Sequence, residues 1–173
     1  MSKILILNGP NLNLQGKREP EIYGRETIEG YLQNEAETLI FQQSNIEGEL
    51  INFLHAADEN PEISGVVFNA GGYSHTSIAL ADAVKAISKP VILVHISNIY
   101  AREIERRTDL LSAYAAGQIV GLGLMGYRLA IRAIFSGFGF RGSGFGGQET
   151  GDDSHQTSDH GPRTTDYGLM TTD

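Results

Sequence analysis

Five apolar segments recur along the chain, each bounded by glycine, proline or polar residues, and their lengths are typical of buried strands. We predict strands at residues 4–7, 39–41, 63–68, 91–94 and 118–122, with the second at the edge of the sheet. Asn8, Asn69 and His95 come directly after the first, third and fourth segments. These polar side chains are therefore the first candidates for a site.

Between these strands, apolar residues recur at helical spacing. Thr27 is the predicted cap of a helix that reaches about residue 35. Ser44 and Glu47 form a predicted capping-box pair at the start of the next helix. Further helices are predicted after Gly71-Gly72, at residues 99–107 and at residues 125–135.

Strands that alternate with helices in this way imply an α/β fold, with a parallel sheet and helices on both faces. Five strands favour a flavodoxin-like, doubly wound order. Ligands bind to such sheets beyond the carboxyl ends of the strands. We therefore expect Asn8, Asn69 and His95 to lie at one edge of the sheet.

The apolar periodicity stops near residue 135, and small and polar residues dominate the rest of the chain. We predict one flavodoxin-like domain at residues 1–136 and a flexible, acidic, Gly-rich tail at residues 137–173. Such a tail buries too little apolar surface to become ordered. The alternative is that its phenylalanines, Phe138, Phe140 and Phe145, dock on a neighbouring subunit.

Composition limits the class of protein. The 173-residue chain is 40% hydrophobic and 20% charged, which is ordinary for a soluble globular protein, and its net charge of −8 argues against nucleic acid as a partner. No apolar stretch approaches about 18 residues and no signal-peptide pattern is present, so we expect a cytoplasmic protein with no membrane partner. The absence of Cys and the scattered His residues argue against a metal site.

The longest polar loop follows the first strand, at residues 8–24, and is rich in Asn, Pro and Gly. Loops of this length are usually lids, binding segments or disordered linkers. Arg18 and Tyr23 favour a lid, because a guanidinium stabilises a phenolate and so makes Tyr23 a candidate base. Disorder is the alternative.

Two further loops carry candidate chemistry. Asn69 is suited to hold a ligand or water, and His75 to bind an oxygen-rich substrate, although a solvated histidine is the alternative for His75. His95 leaves an apolar strand for a Ser-Asn turn, a position suited to acid–base catalysis. Arg102 and Arg106 are predicted to share one helix face toward a substrate carboxylate, with a solvated basic face as the alternative.

Residues 121–126 match the pattern G-x-G-x-x-G between a strand and a helix. A dinucleotide site also needs a further strand with an acid about 20 residues on, whereas here the Gly-rich tail comes next. We attribute these glycines to close packing of the helix on the strand, and we expect no dinucleotide.

Several segments of the chain are distinctive: N-G-P-N-L-N-L at 8–14, R-E-P-E-I-Y-G at 18–24, Q-S-N-x-E-G-E-L at 43–50, Y-S-H-T-S at 73–77, V-H-I-S-N at 94–98 and A-R-E at 101–103. Together they resemble the type II 3-dehydroquinate dehydratases, over about residues 1–135. The resemblance implies loss of water from 3-dehydroquinate to give 3-dehydroshikimate, in the shikimate pathway to chorismate and the aromatic amino acids. It also implies anti elimination without a Schiff base, metal or cofactor, in a homododecamer built from trimers.

The resemblance also implies roles for individual residues. Tyr23 is implied to be the base and Arg18 to favour its phenolate, Asn69 to stabilise the enolate, and His95 to protonate the departing hydroxyl. The residues expected to bind substrate are Asn11, His75, Asp82 from a neighbouring subunit, Ile96, Ser97, the lid-closing Arg102 and Arg106.

The chain departs from the family pattern in two places that bear on activity. Family members carry Glu two residues before the acid histidine, where this chain has Leu93. A carboxylate beside an imidazole favours its protonated form, so we expect Leu93 to reduce activity. The chain is also shorter than usual between residues 24 and 43, so we expect a truncated first helix. A catalytically weak paralogue that binds a related cyclic acid as an accessory or sensor protein is the alternative function.

Overall fold

The apolar segments form a five-stranded sheet in the computed structural model, which describes residues 2–16 and 26–137 except for the side chains of residues 36 and 37. The strands are β1 (Lys3–Asn8), β2 (Leu39–Gln43), β3 (Ile63–Asn69), β4 (Val91–His95) and β5 (Gly117–Val120). They pair in parallel in the order β2-β1-β3-β4-β5. This is the flavodoxin-like order, so the predicted fold class is confirmed.

The α-helices of the described chain are α1 (Ile28–Tyr31), α2 (Glu47–Glu59), α3 (Ile78–Ala86) and α4 (Met125–Phe135). Thr27 caps α1 as predicted, because its hydroxyl accepts a hydrogen bond from the Gly30 amide at 3.0 Å. The helix predicted to reach about residue 35 ends at Tyr31, and a separate 3-10 helix at Gln33–Thr38 comes after it. Truncation relative to the family stays a prediction. No helix of the described chain is long and apolar enough to cross a membrane.

Two other local predictions are wrong. The start of α2 has no capping box, because Ser44 pairs with Glu49 rather than Glu47 and accepts a hydrogen bond from the Ile46 amide at 2.9 Å. The helix predicted at residues 99–107 is two separate 3-10 turns, Ile99–Ala101 and Ile104–Arg106.

The sheet separates two apolar cores. On one face, Leu5, Phe68 and Leu93 belong to a buried cluster that includes the apolar residues of α2 and α3. On the other face, Ile6 and Val94 belong to a cluster with α1 and α4. Full burial of one such side chain contributes roughly 1.5–3 kcal/mol, so the alternation of each strand between two cores stabilises both layers.

The carboxyl ends of the strands bring the predicted polar residues to one edge. Asn8 is the register partner of Asn69, and the Gly9 amide donates to the Asn69 carbonyl at 2.7 Å. A Cβ at Gly9 would clash with the Ala70 carbonyl, so this close approach of two loops requires glycine. The predicted tail stays a prediction, because residues 138–173 lie outside the described residues.

Candidate active site

A cavity of about 420 Å³ opens at the carboxyl edge of the sheet. It lies between the loops that come after β1, β3 and β4, the position expected for a ligand in a doubly wound sheet. Its volume is in the range of small-molecule sites. Eight of the predicted site residues line it: Asn11, Asn69, His75, His95, Ile96, Ser97, Arg102 and Arg106.

The lining of this cavity does not include Asp82, and it does not test Arg18 or Tyr23. Asp82 is exposed on α3 and is not among the residues that line the cavity of its own chain. Its expected contribution to a neighbouring subunit stays a prediction. Arg18 and Tyr23 lie outside the described residues, so their roles stay predictions as well.

Asn69 is held by a buried hydrogen-bond network. Its side-chain amide donates to the Tyr127 hydroxyl at 2.9 Å, and its side-chain oxygen accepts from the Gly71 amide at 3.2 Å. Tyr127 in turn donates to the Asn8 side-chain oxygen at 2.7 Å. An amide nitrogen has two N–H bonds, so one N–H of Asn69 is left for a ligand once Tyr127 has taken the other.

Tyr127 is fully buried on α4, directly beneath Asn8 and Asn69. Burial raises the pKa of Tyr127 well above its ordinary value, and the hydrogen bond from Asn69 only partly opposes this. The phenol therefore stays protonated and keeps donating to Asn8. The network fixes the orientation of the Asn69 amide.

His95 ends β4 and is nearly buried. Its Nε2 lies 2.7 Å from Oδ2 of Asp109, which is also buried. A carboxylate only accepts hydrogen bonds, so Nε2 carries the proton of this bond. Nδ1 is then the ring nitrogen that remains for a ligand.

The expectation that Leu93 leaves His95 without a carboxylate is wrong. Leu93 is buried in the apolar core, and Asp109 supplies the carboxylate from the loop between β4 and β5. Glu103, an exposed acid next to Arg102, pairs with Arg106 and not with His95. The structure therefore gives no reason to expect that Leu93 reduces activity.

His75 is half-buried and held by a hydrogen bond, so it is not a freely solvated side chain. Its Nδ1 donates to the Thr108 carbonyl at 2.7 Å, which fixes the tautomer and leaves Nε2 for a ligand. The ring is stacked on His95 with its centroid 6.2 Å away. The two stacked histidines thus line the cavity together, each with one ring nitrogen not engaged by these hydrogen bonds.

Arg102 and Arg106 both line the cavity, although they lie in different turns and not on one helix face. Glu103 separates them and pairs with Arg106 at 2.6 Å and with Arg102 at 3.8 Å. The pKa of Glu103 is lowered by its own backbone amide and then by the two guanidinium groups. Two partly exposed cations against one carboxylate leave this wall suited to an anionic ligand.

The glycines at 121–126 support the loop after β4. The amides of Gly121 and Gly123 donate to the carbonyls of His95 and Ile96 at 2.9 and 3.0 Å. Both glycines have positive φ, which other residues rarely adopt. A Cβ at Gly126 would lie 3.1 Å from Val94, so the predicted packing of helix on strand is confirmed.

Asp109 and Tyr127 are the important residues that the sequence interpretation missed. Asp109 lies 14 positions after His95, and only the folding of the intervening loop brings the two together. Tyr127 carried a signal, because it is an aromatic residue with a polar end within the last predicted helix, residues 125–135.

Fold and cavity define the class: a doubly wound α/β domain whose polar, histidine- and arginine-lined site lies at the carboxyl edge of its sheet. Within this class the chain belongs to the family Dehydroquinase class II, whose family model matches residues 2–135.

Relatives with curated names and solved structures agree with this family. The 3-dehydroquinate dehydratase of Bacillus subtilis (strain 168) is 51% identical over 143 residues, which cover 79% of this chain and 95% of that protein. The type II dehydroquinase of Butyrivibrio crossotus DSM 2876 has a TM-score of 0.69 at 41% identity, covering 78% of this chain and 97% of that one. The type II dehydroquinase of Propionibacterium acnes has a TM-score of 0.71 at 38% identity, covering 79% and 97%.

Proposed function

We propose that this chain is a hydro-lyase that removes water from 3-dehydroquinate to give 3-dehydroshikimate, in the shikimate pathway. The proposal rests on the family membership and, above all, on one observation. The Asn69 amide, oriented by Tyr127, and the His95 imidazole, paired with Asp109, line the same cavity. The reaction needs one group to stabilise the enolate and another to protonate the leaving group.

The reaction makes three demands. A hydrogen beside a ketone is weakly acidic, so a base has to remove it, and the enolate that forms has to be stabilised. Tyr23 is the proposed base, with Arg18 favouring its phenolate, because both match the family motif at residues 18–24. The free N–H of Asn69 is the proposed donor to the enolate oxygen, either directly or through a bound water.

The third demand is an acid for the departing hydroxyl, and His95 is the proposed acid. Because Nε2 is engaged by Asp109, the proton given to the hydroxyl comes from Nδ1. Both ring nitrogens then carry protons before the reaction, so the acid is an imidazolium. The product state is a neutral ring that still donates to Asp109.

The remaining residues of the cavity are proposed to bind the substrate carboxylate and hydroxyl groups. The Ile96 backbone and the Ser97 hydroxyl serve the carboxylate at the end of β4. Other proposed ligands are Asn11, His75, Arg106, Arg102 when the lid closes, and Asp82 from a neighbouring subunit of a dodecamer built from trimers.

The test is to incubate the purified protein with 3-dehydroquinate and follow the ultraviolet absorbance of the conjugated enone product. We expect turnover by the native protein and a large loss of kcat in Tyr23→Phe. Tyr114→Phe is the matched control, because Tyr114 lies outside the cavity, against Lys85. No absorbance rise above the rate without protein would refute the proposed function, and an unimpaired Tyr23→Phe would refute the base.

A further inference from the structure

We propose that Asp109 is a positioning residue for the acid histidine: it orients the His95 ring and keeps that ring protonated for the elimination. This inference rests on the proposed function, in which His95 is the acid. Asp109 lies outside the six sequence segments that carry the resemblance to the family, so none of those motifs points to it.

The contact between the two side chains is short and dry. Nε2 of His95 lies 2.7 Å from Oδ2 of Asp109, and the side chains are only 7% and 2% exposed. A charge-assisted hydrogen bond at this distance is among the stronger ones in proteins. With so little water around the pair, solvent screening is weak.

Asp109 is itself fixed. Oδ2 also accepts from the Gln118 side-chain amide at 2.7 Å, and Oδ1 accepts from the Leu111 amide at 2.9 Å. Leu111 is fully buried in the core below α2 and α3, and therefore anchors the loop that carries Asp109. Gln118 lies on β5 beside Leu93, so a strand of the sheet holds the carboxylate from the other side.

The other charged and titratable groups around His95 make an anion necessary. His75 is stacked on the ring, and Arg102 and Arg106 line the same cavity. Positive charge on any of these three groups opposes a proton on His95. Glu103 is exposed and pairs with the two arginines, so Asp109 is the carboxylate in contact with His95 within residues 26–137.

The proton balance gives Asp109 a defined part in the reaction. As the carbon–oxygen bond breaks, its electron pair goes to the oxygen, and the enolate electrons form the new carbon–carbon double bond. The Nδ1–H bond of His95 breaks and its proton converts the leaving group to water. The neutral ring keeps the proton on Nε2, which still donates to Asp109. Solvent then reprotonates Nδ1 and receives the proton that the base has taken.

The test compares pH–rate profiles of Asp109→Asn and Gln118→Met with the native protein. Asn is nearly isosteric but uncharged, so we expect kcat to fall about tenfold or more near pH 7 with little change in KM. The alkaline limb of kcat should move to lower pH by about one unit or more. Gln118→Met keeps the volume but removes a competing donor from Oδ2, so its alkaline limb should move slightly to higher pH. Opposite shifts distinguish a charge effect from a packing effect.

A second measurement does not depend on catalysis: the titration of the His95 ring, followed by NMR in the protein without substrate. Asp109→Asn should move this titration to lower pH, whereas Asp58→Asn, which loses a carboxylate hydrogen-bonded to residues 88–89, should not. An unmoved titration in Asp109→Asn would overturn the proposal, as would a downward shift in Gln118→Met if Asp109→Asn fails to fold. A native protein without dehydratase activity would refute the proposed function, and the ring titration would still decide the role of Asp109.

Discussion

The Tyr127→Phe substitution removes the hydroxyl that joins Asn8 to Asn69 and leaves the apolar ring in place. Tyr127 accepts from Asn69 at 2.9 Å and donates to Asn8 at 2.7 Å, with all three side chains buried. The substitution therefore leaves an N–H of Asn69 and the side-chain oxygen of Asn8 buried without a hydrogen-bond partner. Each buried polar group without a partner costs about 1–3 kcal/mol, so for two groups we expect a loss of roughly 2–6 kcal/mol in the free energy of unfolding.

The same change should affect catalysis, because the Asn69 amide loses the contact that orients it. We expect kcat to fall by roughly tenfold, as for a weakened oxyanion donor, with a smaller change in KM. Urea unfolding followed by circular dichroism measures the first effect, and the enone assay measures the second. Tyr73→Phe is the control, because its hydroxyl donates to the Asn45 carbonyl at an exposed site and its loss should cost less than ~1 kcal/mol.

A Tyr127→Phe protein as stable as the control would refute the stabilising role of this network. A distinct pH dependence provides a second check. Burial raises the pKa of Tyr127 in the folded protein, so its contribution to stability is complete below the unfolded value near 10 and is lost as pH rises above it. The native protein should therefore lose stability above about pH 10 more steeply than Tyr127→Phe does.

Three further predictions concern other parts of the chain. Burial raises the pKa of Asp58, but hydrogen bonds from residues 88–89 outweigh burial and hold that pKa below its ordinary value. Asp58→Asn should therefore lower the free energy of unfolding, measured in urea at pH 7, by about 1–2 kcal/mol. The difference between variant and native protein should shrink as pH falls below about 4, and an equal difference at about pH 3 would contradict this. Leu93→Glu should lower stability by roughly 2–5 kcal/mol and reduce activity, since it replaces a buried apolar side chain of the core by a carboxylate, and a stable, faster variant would show otherwise. Arg18→Ala and Tyr23→Phe should each reduce kcat far more than they raise KM in steady-state assays, and the reverse pattern would make the lid a binding device.

The strands and the edge that carries the site could be predicted from the sequence. Apolar runs such as residues 63–68 are short and end abruptly at polar residues, and parallel strands place their carboxyl ends together. Asn69 and His95 were therefore predictable as neighbours of one cavity. The identities of their partners were not, because Tyr127 and Asp109 are brought in by tertiary packing.

The segment between β4 and β5 shows why local rules failed. Arg102 has φ −97° and ψ −175°, so the backbone is extended where helical spacing predicted a continuous helix. The Arg107 side chain donates to the Arg102 carbonyl at 2.9 Å, a contact that a continuous helix would not make. Burial of Leu111 in the core then draws the chain back toward β4. Periodicity describes one face of a helix and carries no information about such long-range anchoring.

The central proposal is that this chain dehydrates 3-dehydroquinate by anti elimination at the cavity lined by Asn69 and His95. The most direct measurement uses 3-dehydroquinate with deuterium beside the ketone, at the position anti to the departing hydroxyl, and analyses the product by mass spectrometry. We expect 3-dehydroshikimate that has lost the deuterium, at a rate that falls sharply in His95→Ala. Product that retains the deuterium, or no product from the native protein, would contradict the proposal.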